Sequence, residues 1–363
     1  MDTKRNKALD VARGLGIILV SIYHLVYRPK DGVADNLIRE AIWLEIPFFF
    51  FISGFYYKAG QRKVGEYISH KVKTLLIPTL KYTATLLILG GVYCAFVHDY
   101  TWQNFFRDVI FTYLRPEFSS LIIPEWGYGG ILFENISAVW FVWTMMFASS
   151  LFYKLEGIFG KATKSRIAVS IILILISMAV YPVRKYFSWN LTGVPAFVAI
   201  MVLSSYFVIK VNYFYAFLAV IAHVILFQLC GTDSIVYNDL GTIGAWSVPV
   251  FCLQAFIGTY ALIVFSTWLQ KNFKLAVILE FIGKNSLIFL LFHCAFAVVF
   301  YDLFHTYIKP GPFWYMENIN QTVTPEIFMK SLTVCFLSLM SCALVVNVQS
   351  KIGGVIRKNE AKK

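Results

Sequence analysis

Three ionisable side chains, Asp10, Arg13 and His24, interrupt the first apolar run of the chain, ALDVARGLGIILVSIYHL (residues 8–25), and Arg13 and His24 form the sharpest pair. Charged and titratable groups are costly in a segment apolar enough to enter a bilayer, so each is a functional candidate by default. The spacing of that pair, eleven residues, is close to three turns of helix. It puts both side chains on one face, about 16 Å apart along the axis. An arginine at one end of such a stripe can hold an anion through paired hydrogen bonds. A histidine, which titrates near neutrality, can take up and return a proton. Asp10, three residues before Arg13, can orient the guanidinium. Gly14 and Gly16 let another helix or a ligand come close to the backbone. The competing reading has Arg13 reaching to lipid headgroups and His24 satisfying a neighbouring helix.

His293 is a second candidate, on a late apolar run after Gly283-Lys284-Asn285-Ser286. Lys284 and Ser286 could open a helix that favours phosphate, while a hydrogen bond inside a helix bundle would account for the histidine equally well. His223 has no motif around it and is assigned to packing, as is the phenylalanine run 48–51. The six cysteines (Cys94, Cys230, Cys252, Cys294, Cys335, Cys342) sit mostly inside apolar runs and form no CxxC or CxxxC. Neither a disulfide framework nor a metal site is expected from them; they read as small buried hydrophobes. Asn135, Asn190 and Asn320 lie in Asn-x-Ser/Thr strings, which are frequent by chance.

Composition identifies the elements that must position these residues. Of 363 residues, 58% are apolar and 14% charged, and 34 are phenylalanine. Soluble domains average about 45–50% and about 25% for the first two figures. The mean hydropathy is +0.67. A soluble domain of this size could not hide that much apolar surface, and the same figures exclude a disordered or collagen-like chain. The expected fold class is an all-α integral membrane protein. The net charge of +12 is spread in short clusters between apolar runs, the pattern of positive loops rather than of a nucleic-acid partner.

Ten runs have the length and character of spans: 9–27, 40–57, 75–97, 137–154, 167–183, 193–209, 211–230, 243–268, 285–303 and 327–349. The sixth and seventh are parted only by Lys210 and its neighbours. The first run has a basic start, but Asp10, Arg13 and His24 interrupt it and no small-residue cleavage pattern follows, so it reads as a retained span. With the N-terminus inside, 23 of the 32 Lys and Arg residues fall on the inner side and 9 on the outer. That asymmetry places both termini in the cytoplasm, and an even number of spans agrees with it. The expectation is one transmembrane domain over residues 1–363, a polytopic bundle of about ten helices. It carries an outside loop at about 98–136 and a short basic tail at 350–363. The loop interleaves Trp102, Phe105, Phe106, Tyr113, Trp126 and Tyr128 with acidic residues. It suits either an interfacial aromatic belt or a platform for a polar, ring-shaped acceptor.

Five segments, in order, resemble the acyltransferase-3 family of bacterial membrane acyltransferases. The first is ALDVARGLGIILVSIYHL, where the family carries an arginine and a histidine separated by ten residues. EIPFFFFISGF (45–55) is similar to its Pro-Leu-Phe-Phe-Phe-Ile-Ser-Gly segment. KVKTLLIPTL (71–80) resembles its basic stretch leading into Leu-Leu-Pro-Pro-Tyr. AVWFVWTMMF (138–147) and GKNSLIFLLFH (283–293) are similar to its Trp-Phe-Leu helix and to its late helix ending in histidine. The family's two arginines three apart correspond here to Lys71 and Thr74, with Lys73 adjacent. Glu45 precedes Ile-Pro where many members have histidine.

The resemblance implies an O-acyltransferase of the bacterial inner membrane, a multi-pass protein in contact with lipids. It would move an acyl group, acetyl being the usual one, from a cytoplasmic acyl-CoA to a hydroxyl of a glycan or lipid-linked sugar. The donor is a substrate, and no cofactor is bound permanently. Arg13 and His24 become the essential pair. The expected roles are His24 as the base for the acceptor hydroxyl, or as a transient acyl carrier, and Arg13, Lys71 and Lys73 as partners of coenzyme A phosphates. Asp10, Glu45 and His293 are supporting candidates. A thioester is already activated, so this chemistry needs a base, orientation and oxyanion stabilisation but no metal. A different class, a polysaccharide exporter or flippase with the same polar residues, is the alternative.

Overall fold

The computed structural model describes residues 6–26, 45–57, 63–97, 101–106, 109, 139–159, 163–182, 193–230, 244–304 and 325–360. Among these residues the chain is helical, with no strand. Helix α1 (Lys7–Leu25) begins at Asn6, whose Oδ1 accepts from the Ala8 amide at 3.0 Å. This N-cap satisfies one of the amides that a first turn leaves over. Asp10 in that turn complements the positive end of the helix dipole. Helix α2 spans Glu45–Phe55.

Helix α3 (Val64–Lys71), a π-helical segment (Val72–Leu76) and α4 (Ile77–Val97) run on without a break. Pro78 accounts for the wide segment. It has no amide to donate to the Thr74 carbonyl, and the Ile77 amide reaches back five residues to the Val72 carbonyl. The remaining helices are α5 (Val139–Phe159), α6 (Thr163–Val180), α7 (Val194–Ser204), α8 (Tyr213–Cys230), α9 (Ser247–Asn272), α10 (Ala276–Lys284), α11 (Ser286–Leu303) and α12 (Pro325–Glu360). Among the described residues four stretches are long and apolar enough to cross a membrane: Val64–Tyr93, Gly244–Asn272, Ser286–Leu303 and Pro325–Ile352.

The chain divides into two compact units. The first comprises Met1–Ala12, Arg39–Leu80 and Trp140–Val277. Its centre is α7, on which every residue from Ala196 to Val202 is buried. Helices α2, α6 and α9 pack around it, and α8 lies along α9. Phe50 of α2 stacks on Phe197 at 4.0 Å between ring centroids, and Phe48, Phe50 and Phe51 are fully buried, so the phenylalanine run is packing as expected. A Cβ at Gly54 would overlap the Met201 carbonyl and the Ser204 hydroxyl, so α2 and α7 meet backbone to backbone.

The second unit comprises Arg13–Ile38, Lys81–Val139 and Ile278–Lys363. Its core joins Leu25 and Val26 to Cys294, Ala297 and Tyr301 of α11 and to Val334 and Cys335 of α12. Polar ties bring in α4: the Tyr82 hydroxyl donates to Gln349 at 3.1 Å and the Tyr93 hydroxyl to Asp302 at 2.7 Å. Cys252, Cys294, Cys335 and Cys342 are buried free thiols, in keeping with their reading as small apolar residues.

Several boundaries differ from the hydropathy reading, each for a physical reason. The third helix starts at Val64, eleven residues before its apolar run, because residues 64–71 form a helix with no buried residue. The run 193–209 is helical only to Ser204, about 16 Å of helix against a hydrocarbon layer of about 30 Å. A turn at Ser205–Tyr206 and a non-helical stretch containing Lys210 then lead to α8, capped by Asn212 Oδ1 on the Tyr215 amide at 3.1 Å. Two separate helices therefore occupy 193–230. Helix α10, which has no counterpart among the ten runs, is nine residues long. The last helix continues to Glu360, through most of the basic tail. The loop 98–136 lies outside the described residues except for 101–106, helical over 102–106, and 109; Asn135, Asn190 and Asn320 lie outside them as well.

Candidate functional site

The site is built on α1 and the consecutive helices α10 and α11. A Cβ placed on Gly14 would overlap the Leu279 carbonyl, so the α10 backbone lies directly against α1 there. The close approach read from Gly14 is present, and a helix makes it. Further along, the His24 imidazole meets the His293 imidazole of α11, with ring centroids 5.7 Å apart and planes tilted by 48°. Next to it, the Tyr301 hydroxyl donates to the Leu25 carbonyl, one of those that the end of α1 leaves without a helical partner. Gly14 with Leu279, His24 with His293 and Leu25 with Tyr301 occur in the same order along both chain segments. Helix α1 therefore runs parallel to α10 and α11, with contacts at both ends.

His293 is 1% exposed, while His24 is half-buried. The Nδ1 of His293 lies 2.9 Å from the Phe289 carbonyl, which can only accept, so Nδ1 carries the hydrogen. In the neutral ring Nε2 then holds the lone pair, and the Cys294 Sγ lies 3.2 Å from it, where a thiol hydrogen can be donated. His293 is thereby fixed in rotamer and tautomer. The half-buried His24 is the more exposed member of the pair.

Arg13 is half-buried on the stripe of α1 that also bears His24, and Asp10 in the first turn is 1% exposed. Glu45 is the first residue of α2; its side chain lies outside the described residues. Lys71 closes α3 with its Nζ 5.5 Å from the centre of the Tyr67 ring, a cation–π distance. Tyr67 in turn stacks on Tyr153 at 4.0 Å. Lys73 is exposed on the π-helical segment. Arg13 belongs to the second unit, Lys71 and Lys73 to the first. Lys284, read as part of a phosphate-friendly helix start, is instead ion-paired with Glu280 one turn back on α10.

One polar constellation carried no sequence signal. Glu156 of α5 and Arg166 of α6 form a buried ion pair, Oε2 to Nη2 at 2.5 Å. The guanidinium also donates to the Ser205 hydroxyl at 2.7 Å and lies 4.1 Å over the Tyr206 ring. Burial pushes the Glu156 carboxyl up to about 7, against the pull of Arg166. Both residues lie outside the apolar runs 137–154 and 167–183. Only their spatial neighbours distinguish Arg166 from the other basic residues of its loop.

Described residues that are helical without a strand, helices of membrane length and a histidine facing a fixed one fit membrane acyl transfer, and sequence comparison assigns the class. The chain belongs to the acyltransferase-3 family, whose acyltransferase-domain model matches residues 6–346, almost the whole length. It is a membrane acyltransferase. No curated protein and no solved structure gives a match.

Proposed function

We propose that the protein is an O-acetyltransferase of the bacterial inner membrane, moving acetyl from cytoplasmic acetyl-CoA to a hydroxyl of a cell-surface or lipid-linked glycan. The observation that carries this is His24, held half-buried against His293 on the helix that also bears Arg13. In the proposed reaction His24 takes the acceptor hydroxyl proton as that oxygen attacks the thioester carbonyl. The carbon–sulfur bond breaks, the ester bond forms, and the proton passes from His24 to the departing coenzyme A sulfur. Arg13, Lys71 and Lys73 receive the donor's phosphates. Lysine acts there as a point charge, without the forked grip of the family's arginines. Asp10, one turn before Arg13, and Glu45, at the start of α2, are assigned supporting places. The domain is a single one of about ten spans with both termini in the cytoplasm.

The test is His24→Gln, which keeps a hydrogen-bonding side chain but cannot take a proton at neutral pH. Glycan O-acetylation in cells and labelled acetyl transfer by detergent-purified protein should fall by about 10²–10⁴-fold or more. Donor binding should persist, because a base acts on the transition state and not on the bound ground state. Full acetylation at normal expression would remove the catalytic role. It would favour polysaccharide export, where the same polar residues serve binding alone.

A further inference from the structure

We infer that His293 is a positioning residue that acts on His24 through the flank of its ring, and that it neither carries nor relays the proton. This rests on the transfer reaction proposed above and assigns His293 a role within it. Both nitrogens of His293 are committed elsewhere: Nδ1–H to the Phe289 carbonyl at 2.9 Å, and Nε2 to the Cys294 thiol at 3.2 Å. A relay through this ring would have to break one of the two in a place that is 1% exposed, where water cannot replace it. The surface left to meet His24 is the ring itself, at 5.7 Å between centroids and a 48° tilt.

Such a wall has a definite task. His24 stands in the last turn of α1, one residue before the helix ends, and its two side-chain torsions set where the ring nitrogens point. The anchored ring takes away part of the space open to that side chain. The Tyr301 hydroxyl on the Leu25 carbonyl keeps the terminus from fraying away from α11. Acyl transfer needs the base nitrogen within hydrogen-bond reach of the acceptor hydroxyl. A misplacement of about 1 Å is enough to cost about 100-fold in rate.

Two substitutions separate the ring from its anchor. Asparagine can donate to the carbonyl four residues back, as Asn272 does to Trp268 and Asn285 to Phe281 in this chain, each at 2.8 Å. His293→Asn therefore keeps the backbone bond and loses the wall. His293→Phe keeps a flat ring and loses both polar contacts.

The measurement is kcat and the KM for acetyl-CoA of detergent-purified protein, with thermal stability recorded alongside. The expected result is a kcat lowered about 10- to 100-fold in His293→Asn with KM unchanged, and most of kcat retained in His293→Phe. The reverse order, with Asn active and Phe inactive at equal stability, would overturn the ring's role. ¹⁵N-histidine spectra of the unaltered protein give a second measurement. The signal to follow is that of His293 itself, identified among the six histidines by its loss in His293→Asn. Its Nδ1–H should persist throughout the pH range in which the enzyme works, and its disappearance within that range would overturn the assignment. Absence of transfer by the unaltered protein would instead defeat the transfer reaction itself. Transfer that depends on His24 but not on His293 would defeat this inference alone.

Discussion

The imidazoles of His24 and His293, from opposite ends of the chain, meet at 5.7 Å between ring centroids, and only one of them is fully buried. That inequality separates their roles. His293 is locked by its own helix and by Cys294, whereas His24, half-buried in the last turn of α1, can face a substrate. The parallel course of α1 beside α10 and α11 creates the meeting. Both ends of that contact are backbone features, the Gly14 approach to Leu279 and the Tyr301 bond to Leu25.

The approach at Gly14 gives the first prediction. In an exposed helix interior, Gly→Ala gains about 1 kcal/mol. At Gly14 the added methyl meets the Leu279 carbonyl and its carbon, rigid backbone that cannot swing aside as a side chain would. Overpacking of that kind costs about 1–3 kcal/mol, so the net effect should be destabilising. It should also push α10 and α11 away from α1 and lower transfer. Gly65→Ala is the control, since nothing lies within 4 Å of its added Cβ, and it should be neutral or stabilising. Thermal unfolding of both variants in detergent checks the pair. Equal stabilities would mean that the helices can part at Gly14 without loss.

Features that depend on local periodicity were legible in the sequence. Arg13 and His24 share a face because helical spacing requires it, and the closeness at Gly14 follows from the missing side chain. The apolar run 48–51 packs as its composition suggests. Features that depend on tertiary meeting were not. Val194–Ser204 reads as a span because hydropathy cannot distinguish a helix buried in protein from one facing lipid. Helix α10 is too short to register as an apolar run, yet it supplies the wall against Gly14. His293 carried a candidate role, but its nearness to His24 is a property of the fold. Arg166 was one positive charge among several until Glu156, Ser205 and Tyr206 surrounded it.

The donor end gives the second prediction. If Arg13, Lys71 and Lys73 hold coenzyme A phosphates, removing charge should weaken acetyl-CoA binding, and added salt should shrink the difference between variant and parent. Lys71→Arg should bind as well as the parent, since the longer forked head keeps the charge and can still lie over Tyr67. Binding by calorimetry on detergent-purified protein reads both. Unchanged affinity in an Arg13→Ala, Lys71→Ala double variant would remove these residues from the donor site.

Topology gives the third. The division of Lys and Arg, 23 to 9, predicts cytoplasmic signal from a reporter fused after Lys363 and external signal from one inserted within 98–136. Both reporters on one side would contradict an even number of spans with the termini inside.

The fourth prediction concerns the Glu156–Arg166 pair. Burial raises the Glu156 carboxyl from 4.5 to about 7 in the folded protein, outweighing Arg166. Between those two values the folded chain keeps a proton that the unfolded chain has released. Stability contributed at this site should therefore be present at the acid end of the window and be lost as pH rises through it. Glu156→Gln should flatten that dependence, because the amide does not titrate. Arg166→Met behaves differently: it leaves a buried carboxylate without its partner and should cost about 3–5 kcal/mol, more at pH 8 than at pH 5. Replacing both residues, Glu156→Leu with Arg166→Met, removes the stranded charge and should recover much of that loss, since a buried pair exchanged for apolar side chains is often neutral. Thermal unfolding of the three variants at the two pH values tests the scheme. A double variant as unstable as Arg166→Met alone would show that the Arg166 contacts with Ser205 and Tyr206, and not the ion pair, hold α6 to the end of α7.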